Sequence, residues 1–175
     1  MRLRMRLQNV PSPYRRLIER FVELLLSRFK DRIVSIALFG SIARGDFKKT
    51  SDVDILIIMK DLPKSRMKRY ELIAEVLDEL ETIRDYLLDV GIYTGISPVI
   101  LDVNEAKYFR PLYLDLVEDG IILYDKDDFL YRLLSRMQEY IARFEGKRIW
   151  MGKRWMWFFK KGNPLIELCG VKLID

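Results

Sequence analysis

Two apolar runs with a glycine-bracketed polar loop between them constrain this chain more than any other feature. The first run, Ile33 to Phe39, stops at Gly40-Ser41; the second, Ile55 to Met59, starts directly after Asp52-Val53-Asp54. Both are rich in Ile, Leu and Val and read as buried strands. The loop between them is therefore held at one end of a sheet by two rigid elements, a good place for chemistry. In extended backbone, alternate side chains share a face. The Asp52 and Asp54 carboxylates then project together, with Cα atoms roughly 6.5–7 Å apart. Two such groups repel unless a cation lies between them, and hard oxygen ligands with open positions suit Mg²⁺ or Mn²⁺.

The front of the loop carries phosphate chemistry. Gly40 lets a ligand approach the backbone closely, and a run of turn N–H groups can bind an anion. Ser41 adds a hydroxyl, and Arg44 a guanidinium fork that matches phosphate. A phosphate binder and a metal pair on one loop imply a nucleoside triphosphate carried as its metal complex. Gly40 to Gly45 also matches the start of a P-loop, but Asp46-Phe47 follow where that motif needs Lys and then Ser or Thr. An isolated Asp-x-Asp or Gly-Ser turn is usually only a solvated turn; the joint pattern between two strands is far more specific.

Gly40-Ser41, ten residues, then Asp52-Val53-Asp54 resembles the signature of the nucleotidyltransferase superfamily related to DNA polymerase β. Ala43-Arg44-Gly45-Asp46 and Ser51-Asp52 strengthen the likeness, as in small, minimal members. The specific match covers 38–54, and a looser order of helices and strands runs to about 125. The resemblance implies an α/β (α+β) nucleotidyltransferase fold, a mixed β-sheet flanked by α-helices. It implies transfer of a nucleoside monophosphate from an NTP, ATP first, to an acceptor with release of pyrophosphate. Gly40, Ser41 and Arg44 would hold the triphosphate; Asp52 and Asp54 would be catalytic and ligate the metal. Such proteins also resemble the antitoxin halves of toxin–antitoxin pairs. The alternative is therefore a binding module that neutralises a helical partner protein with little or no transfer.

The family pattern also sets up a departure. Active members usually carry a third carboxylate inside the next core strand, and here Ser97-Pro98-Val99 stands in that place. Asp102, just past the strand, is the nearest substitute catalytic acid, with a helix or turn cap as its structural reading. The balance falls on an incomplete site.

Composition narrows the chemistry further. The chain has no histidine, which removes Ser-His-Asp triads, Cys-His nucleophiles and the usual zinc sites. Acid–base work must fall to carboxylates, Lys, Tyr or water. The lone Cys169 permits no internal disulfide and fits a reducing cytoplasm. No apolar segment is long enough to span a membrane, and the N-terminus lacks a signal-peptide core. The net charge of +5 is compatible with nucleotide or RNA partners.

The 175 residues divide into an N-terminal arm (1–11), a main domain (12–145) and a basic aromatic appendage (146–175). The arm alternates Arg2, Arg4 and Arg6 with Leu3, Met5 and Leu7. Ser12 and Pro13 open a helix to about Asp31. One long helix is predicted over 64–89, and a strand over 92–101 that Pro98 pushes to a sheet edge or a bulge. Asn104 caps a short helix, Pro111 starts another, and Asp127 or Asp128 caps a last one to about Glu145. In the appendage, Lys147, Arg148, Lys153, Arg154, Lys160 and Lys161 interleave with Trp150, Trp155, Trp157, Phe158 and Phe159. Residues 147–161 read as a contact surface for a protein partner or for self-association, with RNA second. The segment from Asn163 to Asp175 docks on the domain, as a strand in this reading.

Overall fold

The computed structural model describes residues 8, 10–152 and 154–175. The arm's alternating arginines and Lys153 lie outside them. The two apolar runs form β1 (Ile33–Phe39) and β2 (Val53–Met59), paired antiparallel, with Phe39 opposite Asp54. β3 (Ile96–Asp102) runs parallel to β2, and β4 (Ile121–Asp125) antiparallel to β1. The sheet order is β3-β2-β1-β4, so the strand with Pro98 is an edge strand, where its missing N–H costs little.

Alternation along β2 explains the two cores. Val53, Ile55, Ile57 and Met59 face α1 (Ser12–Phe29), α3 (Arg66–Asp78) and α4 (Glu81–Asp89). Leu56 and Ile58 face α6 (Leu112–Asp119) and α7 (Phe129–Arg143) on the other side. Asp54 shares the register of Leu56 and Ile58, and Asp52 lies just before the strand. Asp54 is thus aimed at the α6 side of the sheet, beyond the end of its apolar packing, while Asp52 also borders a cleft with Glu81, Arg84 and Asp85 of α4.

Several local expectations are corrected. α1 starts with Pro11 at its N-cap, so Ser12 is a first-turn residue and not the cap. The stretch 64–89 is two helices. The turn at Glu79–Leu80 buries Leu80 completely and redirects α4 so that Leu87 reaches the same core. β3 begins at Ile96, because 92–95 is a loop engaged with the β1–β2 connection. Asp102, not Asn104, caps the short α5 (Val103–Ala106) in a capping box with Glu105. At the start of α7 the Asp125 carboxylate accepts from the Leu130 and Tyr131 N–H groups, both at 2.9 Å.

The appendage is a hairpin, β5 (Gly146–Met151) and β6 (Arg154–Phe159), forming its own two-stranded sheet. After it, α8 (Pro164–Glu167) leads into a segment that docks by one isolated bridge, Tyr108 to Lys172, and not as a strand. Leu168 and Leu173 complete the core under α6 and α7. Among the described residues no helix is long and apolar enough to cross a membrane.

Candidate active site

Phe39 leaves β1 extended, and Gly40 turns the chain at φ +74° into the single-turn helix α2 (Gly40–Arg44). The reason for glycine is visible. A Cβ at this position would overlap Asp54 Oδ2 and sit 2.9 Å from the Asp54 carboxyl carbon. The sequence motif therefore encodes two requirements, a left-handed turn and room for the second aspartate. The first N–H groups of α2 have no carbonyl partner within so short a helix. Gly45 closes it at φ 89°, its N–H donating to the Ser41 carbonyl oxygen.

The rest of the loop is clamped. The Tyr14 hydroxyl donates to the Lys48 carbonyl at 3.3 Å, and the Tyr14 ring meets Phe47 edge-on at 5.0 Å. The Lys48 N–H donates to Ser51 Oγ at 2.9 Å. From the loop before β3, the Tyr93 N–H donates to the Lys49 carbonyl at 2.7 Å and the Thr94 hydroxyl to that of Ser51 at 2.8 Å. The Gly95 N–H then donates to Asp52 Oδ1 at 3.1 Å. Tyr14, Thr94 and Gly95 position the acids, yet carry no sequence signal, because their partners are distant in the chain.

Asp52 is exposed and Asp54 half-buried. Burial, foremost, raises the Asp54 pKa above the ordinary aspartate value, and the nearby Asp52 charge adds to this; a Ser97 hydrogen bond and the Arg44 charge pull it down. Ser97 pairs directly with Asp54 across β2 and β3. The strand position searched for a third carboxylate thus holds a serine directly beside the second one. Among the described residues no three acidic, Cys or His side chains gather as a metal cage. The donor set here is two carboxylates, the number with which Mg²⁺ is commonly held when substrate phosphates and water complete its shell.

Asp102 does not join them. It pairs with Met59 at the opposite end of β3, five residues beyond Ser97, roughly 16 Å away at strand rise. Its carboxylate caps α5 through the Asn104 N–H at 2.9 Å. The cap reading is the one realised.

Two unanticipated groups approach from the α6 side. Arg44 Nε donates to Asp46 Oδ2 at 3.2 Å, and the Arg44 guanidinium carbon lies 6.0 Å from the Trp155 ring centroid. The Arg44 side chain is only 17% exposed, so the hairpin covers what the sequence presents as a loop arginine. Asp115, on α6, accepts from Trp157 Nε1 at 3.1 Å. Burial raises its pKa, and the Trp157 hydrogen bond, Arg148 and Arg44 oppose this. The inner face of the appendage therefore borders the Gly40–Gly45 loop through Trp155 and Arg44.

A family model described as a nucleotidyltransferase domain matches residues 18–132. A protein of Methanocaldococcus jannaschii, provisionally named a protein adenylyltransferase, is 34% identical over 141 residues, spanning 79% of this chain and 90% of that protein. A second protein from the same organism with the same provisional name is 34% identical over 103 residues, 59% of this chain and 90% of its own length. Among solved structures, a toxin–antitoxin with AMP-PNP aligns with 73% of this chain and 91% of its own at 20% identity, with a TM-score of 0.45.

Proposed function

The chain belongs to the nucleotidyltransferase domain family, and on that premise we propose that it moves a nucleoside monophosphate, AMP first, from an NTP to a hydroxyl of a protein acceptor. The observation that carries this is the seating of Asp54 against Gly40, with Asp52 beside it and Arg44 facing it. In this reading the Gly40–Ser41 turn and Arg44 bind the β- and γ-phosphates. Asp52 and Asp54 hold a divalent cation, Mg²⁺ or Mn²⁺, which supplies Lewis-acid stabilisation of charge on the transferring group. The acceptor oxygen attacks the α-phosphorus in line, the bond to the bridging oxygen breaks, and pyrophosphate leaves. The acceptor proton passes to Asp54 or to water. Most of the rate enhancement comes from positioning and electrostatics.

A protein acceptor accords with the relatives' printed activity and with the outer face of the hairpin. Ile149, Met151, Met156 and Phe158 are each about half exposed there, an apolar strip beside Lys147, Arg154 and Lys160. The same strip, together with Ser97 where a third carboxylate was sought, supports the second reading, a partner-binding module with slow or absent transfer. Incubation with Mg²⁺, cell lysate and ATP labelled at either the α- or the γ-phosphate separates them. Transfer predicts a protein band labelled from the α-position only, lost in Asp54→Asn. Label from the γ-position, or none, overturns transfer; protease-resistant, nuclease-sensitive label makes the acceptor RNA.

A further inference from the structure

The appended hairpin reaches the phosphate loop through one side chain. Arg44 is the last residue of a single-turn helix and is followed by Gly45 in the left-handed region. An arginine so placed loses much of its rotamer freedom when it is fixed. Its acidic neighbours do not fix it well for phosphate binding. Asp46 holds Nε, while Asp54 and Asp115 lie within reach of its charge, and each neutralises part of what a phosphate needs. An aromatic face holds a guanidinium without taking up its charge or its N–H donors. Trp155 offers that face.

Trp155 is itself held. Arg148, opposite Trp157 in the hairpin register and on the same face as Trp155, forms a bidentate ion pair with Asp119 on α6, its second contact at 2.9 Å. These side chains are 10% and 15% exposed. The Arg148 guanidinium also lies 5.3 Å from the Trp155 centroid. Two residues on, Trp157 donates to Asp115 and stacks on Phe159 at 5.7 Å, and Phe159 meets Phe144 of the domain edge-on at 6.4 Å. These contacts anchor the hairpin along α6 and fix where residue 155 points.

We propose that Trp155 is a positioning residue that holds the Arg44 guanidinium ready for the triphosphate. The hairpin is thereby a working part of the nucleotide site, although it lies outside the 18–132 stretch that marks the family. The proposal rests on the reading of Arg44 as a phosphate ligand, and its test separates the two. Binding of inorganic tripolyphosphate with Mg²⁺ to the full chain is measured by calorimetry for wild type, Arg44→Ala, Trp155→Leu, Trp155→Phe and the Arg44→Ala/Trp155→Leu double variant. Trp155→Leu, which keeps bulk but loses the ring, weakens binding about three- to tenfold, whereas Trp155→Phe stays within about twofold of wild type. In the Arg44→Ala background Trp155→Leu has no further effect, since the ring acts through that arginine. Unchanged affinity in Trp155→Leu beside a weakened Arg44→Ala overturns the positioning role and leaves the phosphate role standing. Equal losses in both backgrounds overturn it as well. Unchanged affinity in Arg44→Ala removes both.

Discussion

Gly40 carries the sharpest consequence at the level of single residues. Because Asp54 fills the space where a side chain would sit, Gly40→Ala displaces the aspartate and strains a left-handed turn. A loss of about 1–3 kcal/mol in thermal or denaturant unfolding is expected, together with loss of Mn²⁺ binding followed by paramagnetic resonance. Asp54→Asn separates function from folding. Transfer falls about 10²-fold or more. The metal-free variant gains stability at neutral pH, because the folded-state pKa of Asp54 is raised and its ionised form disfavours the fold. That penalty is present above the raised value and disappears below the ordinary aspartate value. The melting difference between variant and wild type should therefore close as pH falls toward 4, the unfolded aspartate range. The motif residues were readable because strand, turn and strand are local; why Gly40 is needed was only half readable, since Asp54 is its partner across a strand pair.

At the level of elements, α3 is held to β3 and α5 by one buried arginine. Arg69 is 6% exposed, forms a bidentate pair with Glu105 at 2.7 and 2.8 Å, and donates to the Pro63 and Ile100 carbonyls. Arg69→Met should cost about 2–4 kcal/mol, read from chemical denaturation, less than a fully buried pair because Glu105 is partly exposed. The Arg69 hydrogen bonds, first, hold the Glu105 pKa below its ordinary value, against the opposing effect of burial. A lowered carboxylate contributes stability above its unfolded value and loses it as pH falls through the folded one. Glu105→Gln should accordingly destabilise at neutral pH, and the gap should narrow in acid. None of this was legible in sequence, where Arg69 sits among helix charges that read as solvated. The same blindness hid the break in 64–89: the apolar stripe continues through Leu80, and only the shape of the core calls for a turn there.

At the level of the whole molecule, the folded core does not end at the family domain. Leu168 and Leu173 are 4% and 6% exposed in the core beneath α6 and α7, and Trp157 and Phe159 pack against it. Truncation after Glu145 should remove about 3–6 kcal/mol through the two leucines alone, enough to threaten a fold of ordinary stability. It should show as insolubility or a steeply lowered melting temperature. Phe158→Ser, on the outer face, should change stability by no more than about 0.5 kcal/mol. The appendage was visible in sequence as a composition shift, but strand alternation alone did not say which rings face the domain.

One consequence of the hairpin is optical. All three tryptophans of the chain are on it, at positions 150, 155 and 157. Trp155 lies against the Arg44 guanidinium, Trp157 donates to Asp115, and Trp150 has the Arg148 guanidinium over its ring. Indole emission shifts with nearby charge and hydration, so light absorbed selectively by tryptophan interrogates this one corner of the protein and nothing else. An anion bound by Arg44 beside Trp155 would alter the spectrum without an attached dye, so tryptophan emission would follow occupancy of the Gly40–Gly45 loop in real time.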